Sequence, residues 1–281
     1  MKLTCLPVSL YQDLSAGKRT LADWFSLAAQ LGLDGADMSV AHLPSRKAED
    51  LHTLRQQADS AGVPIVTLVT YSDFTHPDPA ERARQIDELQ ANIDAAAELG
   101  ASFLRVTAGQ AHPGVDRTSG IAWAVVGLTA CLEEAAAAQV NLVYENHSIG
   151  YGWTYFDFSY PADVFLEIAA QTEGTGLGIL YDTANTLSRG DDPFLVLAAI
   201  KHRLKMVHVN DIRRPGHFEP VLVGTGVAPI KGIFQALHTA GFDGWICLEE
   251  AGRMDQEGFR RAVPYVDELW EKVGGVPRIA P

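Results

Sequence analysis

The sequence is short of positive charge, of cysteine and of long apolar runs. Its 281 residues hold 22 Lys plus Arg against 35 Asp plus Glu, a formal net charge of −13. So acidic a chain argues against a nucleic-acid partner, because phosphate binding draws on clustered basic side chains. Only 3 cysteines occur, Cys5, Cys131 and Cys247, scattered and without metal-binding spacing. Odd in number, they read as reduced thiols of a cytoplasmic protein. No apolar run is expected to reach the ~20 residues that cross a bilayer, and residues 1–10 are too short and too polar-flanked for a signal peptide. No membrane role is expected. Missing too is a Gly-rich phosphate turn after the first strand pattern, where the chain reads Pro7-Val8-Ser9-Leu10-Tyr11-Gln12. That omission disfavours an open, doubly wound nucleotide-binding sheet.

What is present is one phrase repeated: a polar-faced helix, a glycine, then a short β-branched run. Ala61-Gly62-Val63-Pro64-Ile65, Leu99-Gly100-Ala101-Ser102-Phe103 and Ala240-Gly241-Phe242-Asp243-Gly244-Trp245 are examples. Glycine just past a helix is the usual left-handed cap, so each phrase marks a helix ending and a strand beginning. Strands are predicted at 3–8, 35–39, 64–70, 103–107, 141–147, 177–182, 205–210 and 245–249. Thr20-Leu21-Ala22-Asp23 resembles a capping box, and Asp78-Pro79 and Asp192-Pro193 place Pro at a first helical position. Pro264 predicts a kink or a start within the last helix. Eight strands alternating with eight helices predict an α/β chain, one (β/α)8 TIM barrel over residues 1–281 with no second domain.

Barrel enzymes collect their chemistry at the C-terminal strand ends, and strand alternation tells which side chains point inward. Val143, Glu145 and His147 share one face, Asp182 shares that of Gly178 and Leu180, His208 lies opposite Val207 and Val209, and Glu249 sits with Cys247. Taken singly each has an ordinary reading: Asp182 as a helix cap, His208 as a satisfied core group, Glu145 paired with Arg105. Four in step on four consecutive strands point elsewhere. Three carboxylates converging in one pocket repel, and a buried unpaired charge costs several kcal/mol. One divalent cation resolves both problems. The donor set suits Mn²⁺ first, with Mg²⁺, Co²⁺, Fe²⁺ and Zn²⁺ as alternatives.

Tyr144-Glu145-Asn146-His147, Tyr181-Asp182-Thr183-Ala184-Asn185, Val207-His208-Val209-Asn210-Asp211 and Leu248-Glu249-Glu250 resemble motifs of the sugar phosphate isomerase/epimerase superfamily, the xylose isomerase-like barrels. Gly224-Thr225-Gly226-Val227 and Gly241-Phe242-Asp243-Gly244-Trp245 are similar to it as well, and the resemblance spans essentially the whole chain. It implies a metal held by Glu145, Asp182, His208 and Glu249, with the two glutamates as catalytic acid and base. The implied substrate is a small ketose or keto-polyol whose proton beside the carbonyl is removed through a metal-stabilised enediolate. Return of the proton to the opposite face gives an epimer; delivery to the adjacent carbon gives an isomer.

Position adds substrate-binding candidates. His147 follows Glu145 on the same face; Arg213 and Arg214 follow the His208 strand, where relatives place a substrate-binding Arg, and Arg214 has the better spacing. Asn185 stands where some epimerases carry His, and Thr225 where many relatives carry Glu. Trp153 lies in the aromatic loop 151–158, a lid candidate, since aromatic faces stack on sugar rings. His112, and more remotely His76, sit in loops at the same end. Dehydratases of keto-sugars, keto-inositols and related cyclic hydroxyketones share the proton-abstraction step, with His147, His112 or an Arg as the acid for the leaving hydroxyl. The apurinic-site endonuclease branch would need additional His and Asp ligands for its three zinc ions, which Asn185 and Asp211-Ile212-Arg213 do not supply. A non-catalytic sugar-binding barrel would have no need of two convergent glutamates. A homo-oligomer is compatible with this architecture.

Overall fold

The computed structural model describes residues 1–278. Eight parallel strands form one sheet: β1 (Lys2–Leu6), β2 (Ala36–Ser39), β3 (Ile65–Val69), β4 (Phe103–Val106), β5 (Asn141–Glu145), β6 (Gly178–Asp182), β7 (Leu204–Val209) and β8 (Trp245–Glu249). Their ladders run β1-β8-β7-β6-β5-β4-β3-β2, leaving one seam between β1 and β2. Asp34 stitches that seam: its backbone N–H donates to the Leu3 carbonyl at 2.9 Å, and its Oδ2 accepts from the Leu3 N–H at 2.7 Å. Thr4 Oγ1 adds a bond to Asp37 Oδ2 at 2.8 Å. The result is the expected (β/α)8 barrel, closed on seven sides by backbone and on the eighth largely by side chains.

Strand alternation sorts the apolar residues into two interiors. Leu6, Val69, Val143, Leu180, Met206 and Cys247 fill the barrel itself. Leu3, Met38, Leu104, Tyr144, Ile179, Val207 and Leu248 face outward into the layer beneath the helices. Each such side chain, fully buried, contributes roughly 1.5–3 kcal/mol. Gly120 and Gly127 let aromatics approach a helix closely: a Cβ would sit 2.1 Å from the Phe158 ring and 2.2 Å from the Phe74 ring.

Three helix starts follow the sequence. Thr20 and Asp23 form a reciprocal capping box, and Asp78 and Asp192 each cap a helix that begins with Pro. The last helix does not begin at Pro264. It runs unbroken over Asp255–Lys272 with Pro264 inside it. Pro264 and Arg260, whose carbonyl loses its N–H partner, both face solvent, so water can satisfy the freed group. The connection between β4 and β5 holds two helices, Arg117–Thr129 and Leu132–Ala137. Together, contrary to the sequence expectation, they are long and apolar enough to cross a membrane by composition. Alanine and glycine dilute that signal to the eye, and Ile121, Ala124 and Leu128 from this stretch are buried in the fold.

Candidate active site

Strand β5 stops at Glu145 instead of running to residue 147, because Asn146 turns its amide into the neighbouring strand. Its Nδ2 donates to the Asp182 carbonyl at 3.1 Å and its Oδ1 accepts the Asp182 N–H at 2.7 Å. A register shift between Ile179 and Leu180 precedes Asp182, which then stands opposite His208. Glu249 closes β8. One donor atom from each of Glu145, Asp182, His208 and Glu249 lies within 4.8 Å of the other three.

These atoms are close without being hydrogen-bonded. His208 Nδ1 is 2.8 Å from Glu249 Oε2 and 3.2 Å from Glu145 Oε1. Yet both Glu145 oxygens, both His208 nitrogens and Asp182 Oδ2 are buried with no aligned hydrogen-bond partner. Asp182 does cap a helix: Oδ1 accepts the N–H groups of Ala184 at 2.8 Å and Asn185 at 2.6 Å. The cap uses one oxygen and leaves the other facing the cluster. Buried polar atoms are normally paired. Lone pairs gathered around one point, from three carboxylates and an imidazole, fit a hard or borderline divalent cation.

The electrostatics agree. Burial, together with the charges of Glu249 and Glu145, drives the Asp182 carboxyl well above the carboxylate range. Burial pushes Glu145 up as well, but Arg105 and His208 outweigh it and hold that carboxyl at about 2. Burial opposes a charge on His208, while Cys247 and Glu145 overcome it and raise the ring's proton affinity well above its ordinary value. The pocket draws positive charge to itself.

Arg105 pairs with Glu145, Nε to Oε2, at 3.2 Å, with both side chains buried. That pairing, foreseen as an alternative to a metal role, coexists with it: Glu145 touches Arg105 and His208 at once. The Arg105 guanidinium carbon lies 5.0 Å from the centre of the Tyr71 ring. His147 is buried, its Nδ1 3.6 Å from Asp157 Oδ2, and Asp157 is fixed by the Ser159 N–H and hydroxyl at 2.7 and 2.6 Å. Trp153 stands edge-on to His147, ring centres 5.7 Å apart. Asn185 is buried with an unpartnered Oδ1. His112 binds Asp73 at 2.8 Å in a cavity of about 290 Å³ that Tyr71, His76, Gln110 and Trp153 also line. From the loop after β5, Tyr151 reaches across to Ser15, hydroxyl to hydroxyl at 2.8 Å, and packs near Tyr11 and His42.

Arg213 and Arg214 are not brought to the cluster. Both are exposed, and Arg213 Nε is bound to Glu219 at 2.6 Å. The cause is Asp211, whose carboxylate gathers the N–H groups of Ile212, Gly224, Gly226 and Ala228 and turns the chain outward. Gly226 is required there, since a Cβ would lie 2.2 Å from the Ile212 carbonyl oxygen. Thr225, on the same turn, is exposed and bonds the Leu222 carbonyl at 2.7 Å. Sequence reasoning missed Asp37, Asp73 and Asp157, and named Arg105 only as an alternative partner of Glu145. A polar residue inside a strand of otherwise apolar parity, as in Ala36-Asp37-Met38 and Leu104-Arg105-Val106, was the available signal.

A barrel with this strand order and an acidic, histidine-containing cluster at its C-terminal strand ends defines a class of TIM-barrel proteins. The chain belongs to the xylose isomerase-like TIM barrel family, whose family model matches residues 25–269. It is 29% identical over 218 residues, 73% of this chain and 76% of the relative, to a putative hydroxypyruvate isomerase of Streptomyces coelicolor. It is 28% identical over 141 residues, 44% of each chain, to an inosose dehydratase of Geobacillus thermodenitrificans. In fold it is similar to a D-psicose 3-epimerase of Clostridium cellulolyticum H10, with TM-score 0.78, 14% identity and coverage of 98% and 100%.

Proposed function

We propose that this chain is a divalent-cation-dependent sugar isomerase or epimerase acting on a small ketose or keto-polyol. The observation that carries the reading is the set of buried, unpartnered donor atoms on Glu145, Asp182 and His208 facing Glu249. These four residues would hold the ion, Mn²⁺ first among the candidates. When bound, it supplies Lewis acidity that polarises a substrate carbonyl and makes the neighbouring carbon acid accessible.

The protein's own groups divide the proton work. Arg105 keeps Glu145 ionised, which suits a ligand more than a proton carrier, because a carboxyl held near 2 is a weak base. Glu249, with 20% of its side chain exposed against 1% for Glu145, is the group placed to take a proton from substrate carbon. His147, steered by Asp157, is the second proton carrier. Trp153 and the aromatic loop offer faces for the carbon skeleton of a sugar and keep bulk water out. The 29% identical putative hydroxypyruvate isomerase supports the isomerase reading.

Dehydration is the second reading, and the His147–Asp157 pair favours it. An imidazole N–H donor steered by a carboxylate is what expulsion of a β-hydroxyl needs, and five of the six curated relatives are inosose dehydratases. One experiment addresses both. Protein loaded with Mn²⁺ is incubated in D₂O with hydroxypyruvate, a ketose panel and an inosose, and products are read by NMR and mass. Deuterium at the carbon beside the carbonyl with retained skeleton means isomerisation or epimerisation, and loss of water means lyase activity. Failure to bind Mn²⁺, together with no exchange in any substrate, would sink the proposal.

A further inference from the structure

A buried carboxylate inside the barrel takes no part in the chemistry above. Asp37 on β2 is fully buried. It sits at a register irregularity between Ala36 and Asp37, a feature that re-aims side chains beside active sites. Both its oxygens are anchored: Thr67 N–H donates to Oδ1 at 3.0 Å and Thr4 Oγ1 to Oδ2 at 2.8 Å. Cys247 is the register partner of Thr4 on one side and of His208 on the other. These residues therefore occupy one rung around the barrel interior. A carboxylate oxygen of Asp37, Sγ of Cys247 and a ring nitrogen of His208 lie within 4.8 Å of one another.

We propose that Asp37, acting with Cys247, is a positioning residue for His208: it fixes the ring so that Nδ1 is presented to the cation. The proposal rests on the cation reading above. Nδ1 faces Glu249 and Glu145 at 2.8 and 3.2 Å, so Nε2, across the ring, is the atom left for Cys247 and Asp37. A neutral imidazole that lends its Nδ1 lone pair carries its proton on Nε2, and that N–H needs an acceptor. A thiol can accept the N–H through sulfur and pass its own S–H to the carboxylate. Metal-bound histidines ordinarily donate their second N–H to such a group, which sets tautomer and orientation. Here Cys247 on β8 and Asp37 on β2, anchored by Thr4 on β1, would supply it. The same three residues could alternatively hold a second, softer ion, but both Asp37 oxygens already accept hydrogen bonds from the protein.

The test uses the full chain. Mn²⁺ affinity is measured by chelator competition, Co²⁺ spectra report ligand geometry, and ¹⁵N NMR of the imidazoles reads the His208 tautomer in the metal-free protein. Asp37→Asn is expected to weaken Mn²⁺ binding about 10- to 100-fold, to change the Co²⁺ spectrum and to mix the tautomers. Cys247→Ala is expected to do the same more mildly, with Cys247→Ser restoring wild-type behaviour because a hydroxyl also accepts and donates. Where Asp37→Asn fails to fold, the Ala and Ser pair at position 247 decides. Wild-type affinity, spectrum and tautomer in every variant would overturn the proposal. So would two equivalents of metal in the native protein, with one lost in Cys247→Ala. Absence of Mn²⁺ binding in the native protein would defeat the cation reading instead, while the tautomer measurement would still judge Asp37.

Discussion

Strands β5 to β8 each bring one donor residue to a common point, Glu145, Asp182, His208 and Glu249. Strands β1 to β4 face the same space with Thr4, Asp37, Thr67 and Arg105, which touch or stand behind those donors. The later half of the wall holds the groups that would meet ion and substrate, and the earlier half holds their charge and orientation in place. A buried acidic cluster is stable only where something opposes its repulsion, and here Arg105 on the adjacent strand β4 supplies the opposition to Glu145. Substitutions in the two halves should therefore fail differently.

The largest effect is expected at Glu249, where Glu249→Gln should lower turnover about 10²- to 10⁴-fold while the metal-free fold keeps its melting temperature. An equal loss of folding stability would erase the distinction between the halves. Next comes Arg105→Met, which leaves Glu145 charged and buried without its partner. Breaking a buried pair from one side typically costs about 3–5 kcal/mol, and denaturant titration of the metal-free protein should show a loss of that order. A change confined to kinetics would move Arg105 into the chemistry.

The dependence on pH sharpens the contrast. The folded-state value of Asp182 is raised, so its contribution is most favourable below the ordinary carboxylate value near 4 and is lost as pH rises through the folded value. Glu145 is lowered to about 2, so its contribution is present above the ordinary value and disappears as pH falls toward 2. Metal-free protein should accordingly lose stability as pH climbs from about 4 through the raised value of Asp182, and Mn²⁺ should flatten that slope by replacing the missing proton. Thermal melts across pH with and without Mn²⁺ test this, and parallel curves would refute it. The smallest effect belongs outside both halves: Thr20→Ala should cost about 1 kcal/mol through its helix cap and leave metal affinity untouched.

How much of this could be read beforehand follows the same division. The β5–β8 donors were legible because each ends an apolar strand and its parity alone aims it inward. The barrel was legible from repeated helix–glycine–strand phrases, and Thr20, Asp78 and Asp192 from local capping chemistry. Asp37 was not, since its meaning lies in partners about 30 residues away on neighbouring strands, Thr67 and Thr4, while Arg105 was read only as the partner of Glu145 and not as part of the site. The exposed setting of Arg213 and Arg214 was hidden for a related reason. Spacing along the chain cannot reveal that Asp211 would fold the segment around itself and send Arg213 to Glu219.

Tyr151, tied to Ser15 at 2.8 Å, lays an aromatic strap from the β5 loop over to the segment after β1. Glu145, Asp182 and His208 are buried and Glu249 keeps only 20% of its side chain exposed, so an ion held there is expected to exchange slowly, with the strap as the barrier to test. Exchange should then be governed by the breathing of a loop instead of by bond strength at the donors. A chelator added to loaded protein would strip it slowly, at a rate that cutting the Tyr151 hydroxyl would quicken.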